Sequence, residues 1–157
     1  MGVEIERKFL VASDDWRGLD AGKMYRQGYL NSAKGRTVRV RTAGEHGYLT
    51  VKGPAVAGVR AEYEYEIPLA DAVEMLENLC LRPLIEKCRH CISFKGFVWE
   101  IDEFFADNRG LILAEIELPT PDTSFEKPPW IGKEVTDDPR YTNAALSRKP
   151  YCLWGGR

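Results

Sequence analysis

The sequence predicts a mainly β fold of the α+β class, eight antiparallel strands able to close into a β-barrel, with a few flanking helices. Three observations lead there. Strand-like segments recur eight times along the chain. The breakers between most of them are short, which favours antiparallel hairpins over crossovers. On segment after segment one face is ionic, with charges of one sign repeated two residues apart, where a merely solvated face would mix signs with neutral polar residues. Eight strands are about the number that closes a sheet around side chains or one small ligand.

The first segment, residues 3–11, reads VEIERKFLV and, Arg7 apart, alternates apolar with charged residues, so that Glu4, Glu6 and Lys8 share a face. A short helix is expected after Ser13, a favoured N-cap residue. Residues 24–31 form the second strand. In residues 37–42 Arg39 and Arg41 line up against Val38 and Val40; in residues 48–52 Thr50 and Lys52 oppose Leu49 and Val51. Lys34-Gly35, Ala43-Gly44 and Gly47 supply the turns. Residues 60–68 place Arg60, Glu62, Glu64 and Glu66 on one face and Ala61, Tyr63, Tyr65 and Ile67 on the other. The three- and four-residue spacing of Ala72, Val73, Leu76, Leu79 and Cys80 predicts a helix over 69–81. Three more strands follow: 84–94 with Lys87 and Arg89 in line, 97–104 with Glu100 and Asp102 opposite Trp99 and Ile101, and 111–118 with Glu115 and Glu117 opposite Ala114, Ile116 and Leu118. Five prolines make residues 119–139 an irregular connection, and a last helix is expected over 142–148. No repeat or linker divides the chain, so residues 1–157 read as a single domain.

A chain of 157 residues with 44% hydrophobic and 29% charged side chains suits one core. The net charge of −2 argues against a generic nucleic-acid or membrane surface, since those partners usually demand a positive excess. No apolar run approaches the ~18–20 residues that cross a bilayer, and the N-terminus is already a patterned strand. A cytoplasmic protein is expected, with no nucleic-acid or membrane partner, as a monomer or a homodimer. Cys80, Cys88, Cys91 and Cys152 are expected as reduced thiols. Cys88-Arg-His-Cys91 has no second Cys/His pair, and residues three apart on a strand face opposite ways, which argues against zinc. The four tryptophans, Trp16, Trp99, Trp130 and Trp154, read as core or lid packing.

If the sheet closes, the ionic face is enclosed and its charges must compensate one another or a ligand, because enclosed unpaired charge is prohibitively costly. Carboxylates beyond what the cations neutralise ask for a hard divalent metal. Grouped Arg and Lys ask for a polyanion, most naturally phosphates. A tunnel that binds metal and polyphosphate together explains why the first strand carries both signs, and its apolar residues then point outward.

Glu4-x-Glu6-x-Lys8 resembles the ExExK signature of the CYTH domain, the triphosphate tunnel metalloenzymes, which include inorganic triphosphatases, thiamine triphosphatases and class IV adenylate cyclases. The resemblance continues in family order through Gln27-Gly28-Tyr29-Leu30, Arg39-x-Arg41, Lys52, Arg60-x-Glu62-x-Glu64, Glu86-Lys87-x-Arg89, Glu100-x-Asp102 and Glu115-x-Glu117. It reaches into the C-terminal PPWIGKEVTDDPRYTNAAL, which looks like the tail of short bacterial members. It implies an eight-stranded antiparallel closed β-barrel, the triphosphate tunnel, with a triphosphate lying along it and hydrolysis assisted by Mg²⁺ or Mn²⁺. Carried over position by position, Glu4, Glu6, Glu115 and Glu117 would hold metal, with Glu62, Glu64 and Asp102 as further candidates for a second ion or for orienting ligands. Lys8, Arg39, Arg41, Lys52 and Arg89 would hold phosphate oxygens. Lys87 and Tyr29 are the candidates for the chemistry. The resemblance also implies that Asn143 helps close one tunnel end.

Lys87, among Arg39, Arg41 and Arg89, is expected to have a lowered pKa, so that it serves as a base for water or, if charged, stabilises the leaving oxygen. Tyr29 is a candidate to hydrogen-bond Lys87 and fix it, against the structural role that is more usual for a buried tyrosine on a strand. The expected activity is metal-dependent hydrolysis of inorganic tripolyphosphate to pyrophosphate and orthophosphate. Thiamine or nucleoside triphosphate hydrolysis comes second and cyclisation of ATP third. A noncatalytic polyphosphate-binding module would need the same cations, and the intact carboxylate set argues against it.

Overall fold

A computed structural model describes residues 2–31, 33, 35–54, 56–57 and 59–155, and of residues 2–4 the backbone alone. The strands run β1 Gly2–Val11, β2 Lys23–Tyr29, β3 Thr37–Ala43, β4 His46–Lys52, β5 Val59–Ile67, β6 Ile85–Phe94, β7 Phe97–Phe104, β8 Ile112–Glu117 and β9 Ile131–Glu134. Helix α1 spans Leu69–Asn78 and α2 spans Asn143–Arg148. All eight expected strands are present. They pair antiparallel in the order β5-β4-β3-β2-β6-β7-β8-β1, and pairing of β1 with β5 closes the barrel.

Two local expectations fail. The chain after Ser13 forms turns instead of a helix. The Ser13 hydroxyl accepts the Asp15 amide only two residues on, and Gly18 adopts φ +83°, which breaks any helical run. The connection over 119–139 is also not wholly irregular, because β9 forms within it. Strand β1 spends its first half, Gly2 to Ile5, on β5, and β9 takes up pairing with its second half at Phe9 and Val11. The edge that β5 leaves is thus covered, as an exposed row of backbone donors and acceptors requires.

The alternation sends most apolar side chains outward, where two of three apolar layers cover them. Phe9, Trp99, Ile101, Ala114 and Ile116 on the outer wall pack beneath Trp16, Phe125 and Trp130. The aromatic contacts are edge-on, with centroids 5.5 Å apart for Phe9 and Trp99 and 5.7 Å for Trp99 and Phe125. Helix α1 lays Ala72 and Leu76 over Val40. Gly47 permits this approach, since a Cβ there would lie 2.7 Å from that of Ala72.

The third layer differs in kind. Ile85, Phe104 and Leu113 lie in phase with Lys87, Asp102 and Glu115, so they face the barrel interior, and they pack with Tyr29, Val135, Tyr141 and Leu146. The ionic lining therefore does not run the full length of the tunnel. One end is apolar and stoppered by the C-terminal segment, whose helix α2 is capped by the Thr142 hydroxyl accepting the Ala145 amide at 3.1 Å.

Candidate active site

Inside the barrel, a cavity of about 270 Å³ gathers side chains from all its strands except β2. It is lined by Glu6 of β1, Arg39 and Arg41 of β3, Lys52 of β4, Glu62 and Glu64 of β5, Lys87 and Arg89 of β6, Glu100 of β7, and Glu115 and Glu117 of β8. Asn143 of α2 joins them. An adjoining cavity of about 400 Å³ shares Glu6, Arg39, Lys52 and Asn143 and adds Lys8, Tyr29, Arg60 and Arg148. Ten of the fourteen residues expected at the site meet in the first cavity, and Lys8 and Tyr29 line its neighbour. Asp102 is buried against Lys87 and Arg89. The side chain of Glu4 lies outside the described residues.

The charges are paired in a definite pattern. Asp102 serves two cations: it receives Lys87 Nζ at 2.9 Å and the Arg89 fork at 2.8 and 2.9 Å. Burial alone would raise the Asp102 carboxyl, but Lys87 and Arg89 outweigh it and hold it well below the usual carboxylate range. Arg89 also approaches Glu100 at 3.4 Å. Arg39 reaches Thr50 at 3.3 Å and Glu64 at 3.4 Å. Lys8 donates to the Tyr141 carbonyl at 3.0 Å and faces Glu115 at 3.4 Å.

Arg41 is different. Among the described residues it has no carboxylate within ion-pair distance and no hydrogen-bond partner, and its Nε is buried. Its guanidinium lies over the Tyr25 ring, 5.1 Å from the centroid. Burial, together with Arg39 and Arg89, lowers its pKa to about 10. Glu64 pulls the other way without offsetting them, so among the described residues the site holds a cation that no carboxylate pairs directly.

Lys87 is 1% exposed. Burial lowers its pKa to about 8, with Arg89 and Arg41 acting in the same direction and Asp102 against them. Its second partner is the Asn143 carboxamide oxygen at 3.3 Å. The expected bond from Tyr29 is not made. Tyr29 sits instead in the apolar stopper, where burial raises its phenol. An ammonium has three donors; Asp102 and Asn143 take two, which leaves one for a ligand.

No three acidic, histidine or cysteine side chains among the described residues converge at metal-ligand distance. The carboxylates are nevertheless crowded. Glu6 lies opposite Glu117, and Glu100 opposite Glu115. Burial raises the pKa of Glu100, and Glu115 and Asp102 add to the rise over the opposing pull of Arg89. An all-oxygen donor set under mutual repulsion suits a hard divalent cation. Glu66, the outermost of its row, pairs with His46 at 2.9 Å in an exposed position.

Sequence reasoning assigned no role to Tyr25, although it shares the inward face of β2 with Gln27 and Tyr29 and lies beneath both Arg41 and Arg89. Period-2 alternation carried that signal. It carried none for Arg148, which reaches the adjoining cavity from α2.

Residues 2–147 match the CYTH domain family. The chain is 54% identical over 151 residues to an inorganic triphosphatase of Acetivibrio thermocellus, spanning 96% of this chain and 97% of that one. It is 37% identical over 149 residues to an inorganic triphosphatase of Nitrosomonas europaea, spanning 92% and 97%. Among solved structures it superposes on the crystal structure of the inorganic triphosphatase NE1496 with a TM-score of 0.69 at 36% identity, over 94% of this chain and 95% of that chain. The fold alone extends to the PH1012 protein from Pyrococcus horikoshii, with a TM-score of 0.59 at 20% identity over 76% and 80%. The ionic rows that line the barrel are those of the family motifs, and the likeness covers nearly the whole sequence: the chain belongs to the CYTH family.

Proposed function

We propose that this protein is a metal-assisted triphosphatase that cleaves a phosphoanhydride bond of inorganic tripolyphosphate, giving pyrophosphate and orthophosphate. The observation that carries the reading is the grouping of Arg39, Arg41, Lys52 and Arg89 in one enclosed space, with Arg41 in no ion pair among the described residues. A polyanion supplies what that arrangement lacks. The two inorganic triphosphatases of matching length support the same substrate.

Phosphoryl transfer asks a protein mainly for positioning and for charge stabilisation at oxygens. Lys8, Arg39, Arg41, Lys52 and Arg89 hold the phosphate oxygens in this reading. Glu4, Glu6, Glu115 and Glu117 hold Mg²⁺ or Mn²⁺, with Glu62, Glu64 and Asp102 in support. Such an ion, when bound, neutralises phosphate charge and acidifies a water. Asp102 has a prior task, fixing Lys87 and Arg89. A lysine with pKa about 8 beside a carboxylate keeps its proton at neutral pH, so Lys87 directs its remaining N–H at the leaving oxygen. Tyr29 forms the wall at the stoppered end.

A second reading, thiamine or nucleoside triphosphate as substrate, draws on the adjoining cavity, where Tyr29, Ala33, Pro54 and Ala144 offer apolar surface to an organic group. One substrate panel separates the readings: tripolyphosphate, thiamine triphosphate and ATP, each with Mg²⁺ or Mn²⁺, every product identified. The highest kcat/KM is expected for tripolyphosphate. Cyclic AMP from ATP without orthophosphate overturns the hydrolase reading.

We read the chain as a single cytoplasmic domain acting on a free small molecule, as a monomer or homodimer, with no nucleic-acid or membrane partner. Its four cysteines are free thiols, which suits a reducing compartment. No helix among the described residues is long and apolar enough to cross a membrane.

A further inference from the structure

Gln27 is fully buried on β2, and among the described residues neither the oxygen nor the nitrogen of its amide has a hydrogen-bond partner. Buried amides are rarely left so, and each exception asks for a reason. Directly opposite Gln27 on β3 stands Arg41, whose Nε is also buried and unpaired. Opposed residues in an antiparallel pair have Cβ atoms ~4.5–5.5 Å apart, within reach of both side chains. An acceptor without a donor therefore faces a donor without an acceptor across one rung of the sheet. On the other side Gln27 adjoins Ile85 of β6, whose side chain has nothing polar to offer.

The neutrality of the amide matters as much as its position. Two other arginines of the cavity are held by carboxylates, Arg39 by Glu64 and Arg89 by Asp102 and Glu100. A carboxylate at position 27 would hold Arg41 equally well and would cancel its charge. An amide orients without neutralising. Arginine suits the division, since its Nε–H can be fixed from behind while the two terminal nitrogens present a flat fork to an oxyanion.

We propose that Gln27 is the positioning residue of Arg41: when a polyphosphate draws the guanidinium off Tyr25, the Gln27 amide oxygen accepts its Nε–H and aims the terminal fork at a phosphate. This inference rests on the triphosphate reading above and adds a residue to which that reading gives no part. It also accounts for the orphaned amide, which is satisfied in the liganded state rather than the free one.

The test combines Gln27→Met, of similar length but without an acceptor, Gln27→Glu, of the same size but charged, Arg41→Lys, which has no Nε–H, and the double variant Gln27→Met/Arg41→Lys. Tripolyphosphate affinity is measured by calorimetry in EDTA, where no turnover occurs, beside steady-state kinetics with Mg²⁺ and thermal unfolding. Gln27→Met should unfold at or above the wild-type temperature, yet bind tripolyphosphate about tenfold more weakly, the loss of one charge-assisted hydrogen bond, with KM rising more than kcat falls. Gln27→Glu should bind more weakly still, because the carboxylate captures Arg41. The double variant should bind no worse than Arg41→Lys alone, since Gln27 acts only through the guanidinium. If Gln27→Met does not fold, the Gln27→Glu comparison decides alone, and wild-type affinity in that variant overturns the proposal. Wild-type affinity in a folded Gln27→Met, or additive losses in the double variant, also overturns it and leaves the triphosphate reading standing. Failure of the wild-type protein both to bind tripolyphosphate in EDTA and to hydrolyse it with Mg²⁺ sinks both, and failure to bind in EDTA alone overturns this proposal.

Discussion

Replacing Arg41 with Met should make the free protein more stable while destroying its affinity for tripolyphosphate. A guanidinium whose folded pKa falls from the ordinary 12.5 to about 10 is held charged at a cost of roughly 3 kcal/mol. A cation depressed in this way destabilises the fold wherever it is charged in both states, and the penalty fades only as pH rises through about 10. Methionine keeps most of the apolar stem and removes the charge. Allowing for lost contact with Tyr25 and for water reaching the cavity, the gain should be about 1–3 kcal/mol. In a chain of 157 residues that is an increase in Tm of about 3–10 °C. Tripolyphosphate at a thousand times its Kd should in turn stabilise the wild-type protein by about 4.1 kcal/mol and the variant by far less. Thermal unfolding of both proteins in EDTA, with and without tripolyphosphate, reads the two effects together. The ranking should invert when ligand is added. A variant less stable than wild type without ligand, or one shifted as far by ligand, would refute the claim that Arg41 is an incompletely compensated charge awaiting an anion.

Lys87→Met should lower kcat by about a hundredfold or more and change KM little, because its free N–H serves the developing charge rather than the ground state; a rise in KM alone would make it a binding residue. Asp102→Asn removes the carboxylate shared by Lys87 and Arg89 and should destabilise by roughly 3 kcal/mol or more, read by urea unfolding; a loss under about 1 kcal/mol would show that water or neighbouring acids replace it. The hydrogen bonds from Arg7 hold the Glu134 carboxyl down at about 2, so its contribution to stability is complete above the ordinary 4.5 and lost as pH falls toward 2. Both partners are about one-third exposed, which limits the effect to about 1 kcal/mol; Glu134→Gln should therefore lie slightly below wild type at pH 6 and converge with it near pH 2, and a constant gap across that range would exclude the pair as its source.

The barrel strands were legible because both faces of most of them are strongly typed and most of their turns are short, so the signal is local. Strand β9 was not, since the tetrapeptide Ile131–Glu134 becomes a strand only where β1 runs on past β5, an edge defined by a contact across more than a hundred residues. The inward phase of Ile85, Phe104 and Leu113 could be read from the same alternation that aligned Lys87, Asp102 and Glu115. What closes over them could not, because Tyr141 and Leu146 come from a segment with no periodic bond to those strands. The same limit applies to Lys87. Its lowered pKa was foreseeable from the cations around it, but the actual partners are Asp102, one strand away, and Asn143, fifty-six residues on in sequence. Neither spacing nor alternation announces them.

The division of labour across the barrel wall explains how so much charge is tolerated. In most small domains the interior supplies the apolar burial that offsets chain entropy, which leaves little room for ions. Here that burial has moved outside the sheet, to the packing of Phe9, Trp99 and Ile116 beneath Trp130 and of Val40 beneath α1, and to the stopper at one end. The remaining interior is free to be ionic, so long as each charge has a partner. Where it does, as for Asp102 with Lys87 and Arg89, the network fixes geometry. Where no direct pair forms among the described residues, as for Arg41, burial and the neighbouring cations outweigh the pull of Glu64, and the fold carries a destabilisation that a bound anion relieves. The binding energy of the polyphosphate is thus partly stored in the free protein, and a sequence optimised for stability alone would place a neutral residue at position 41.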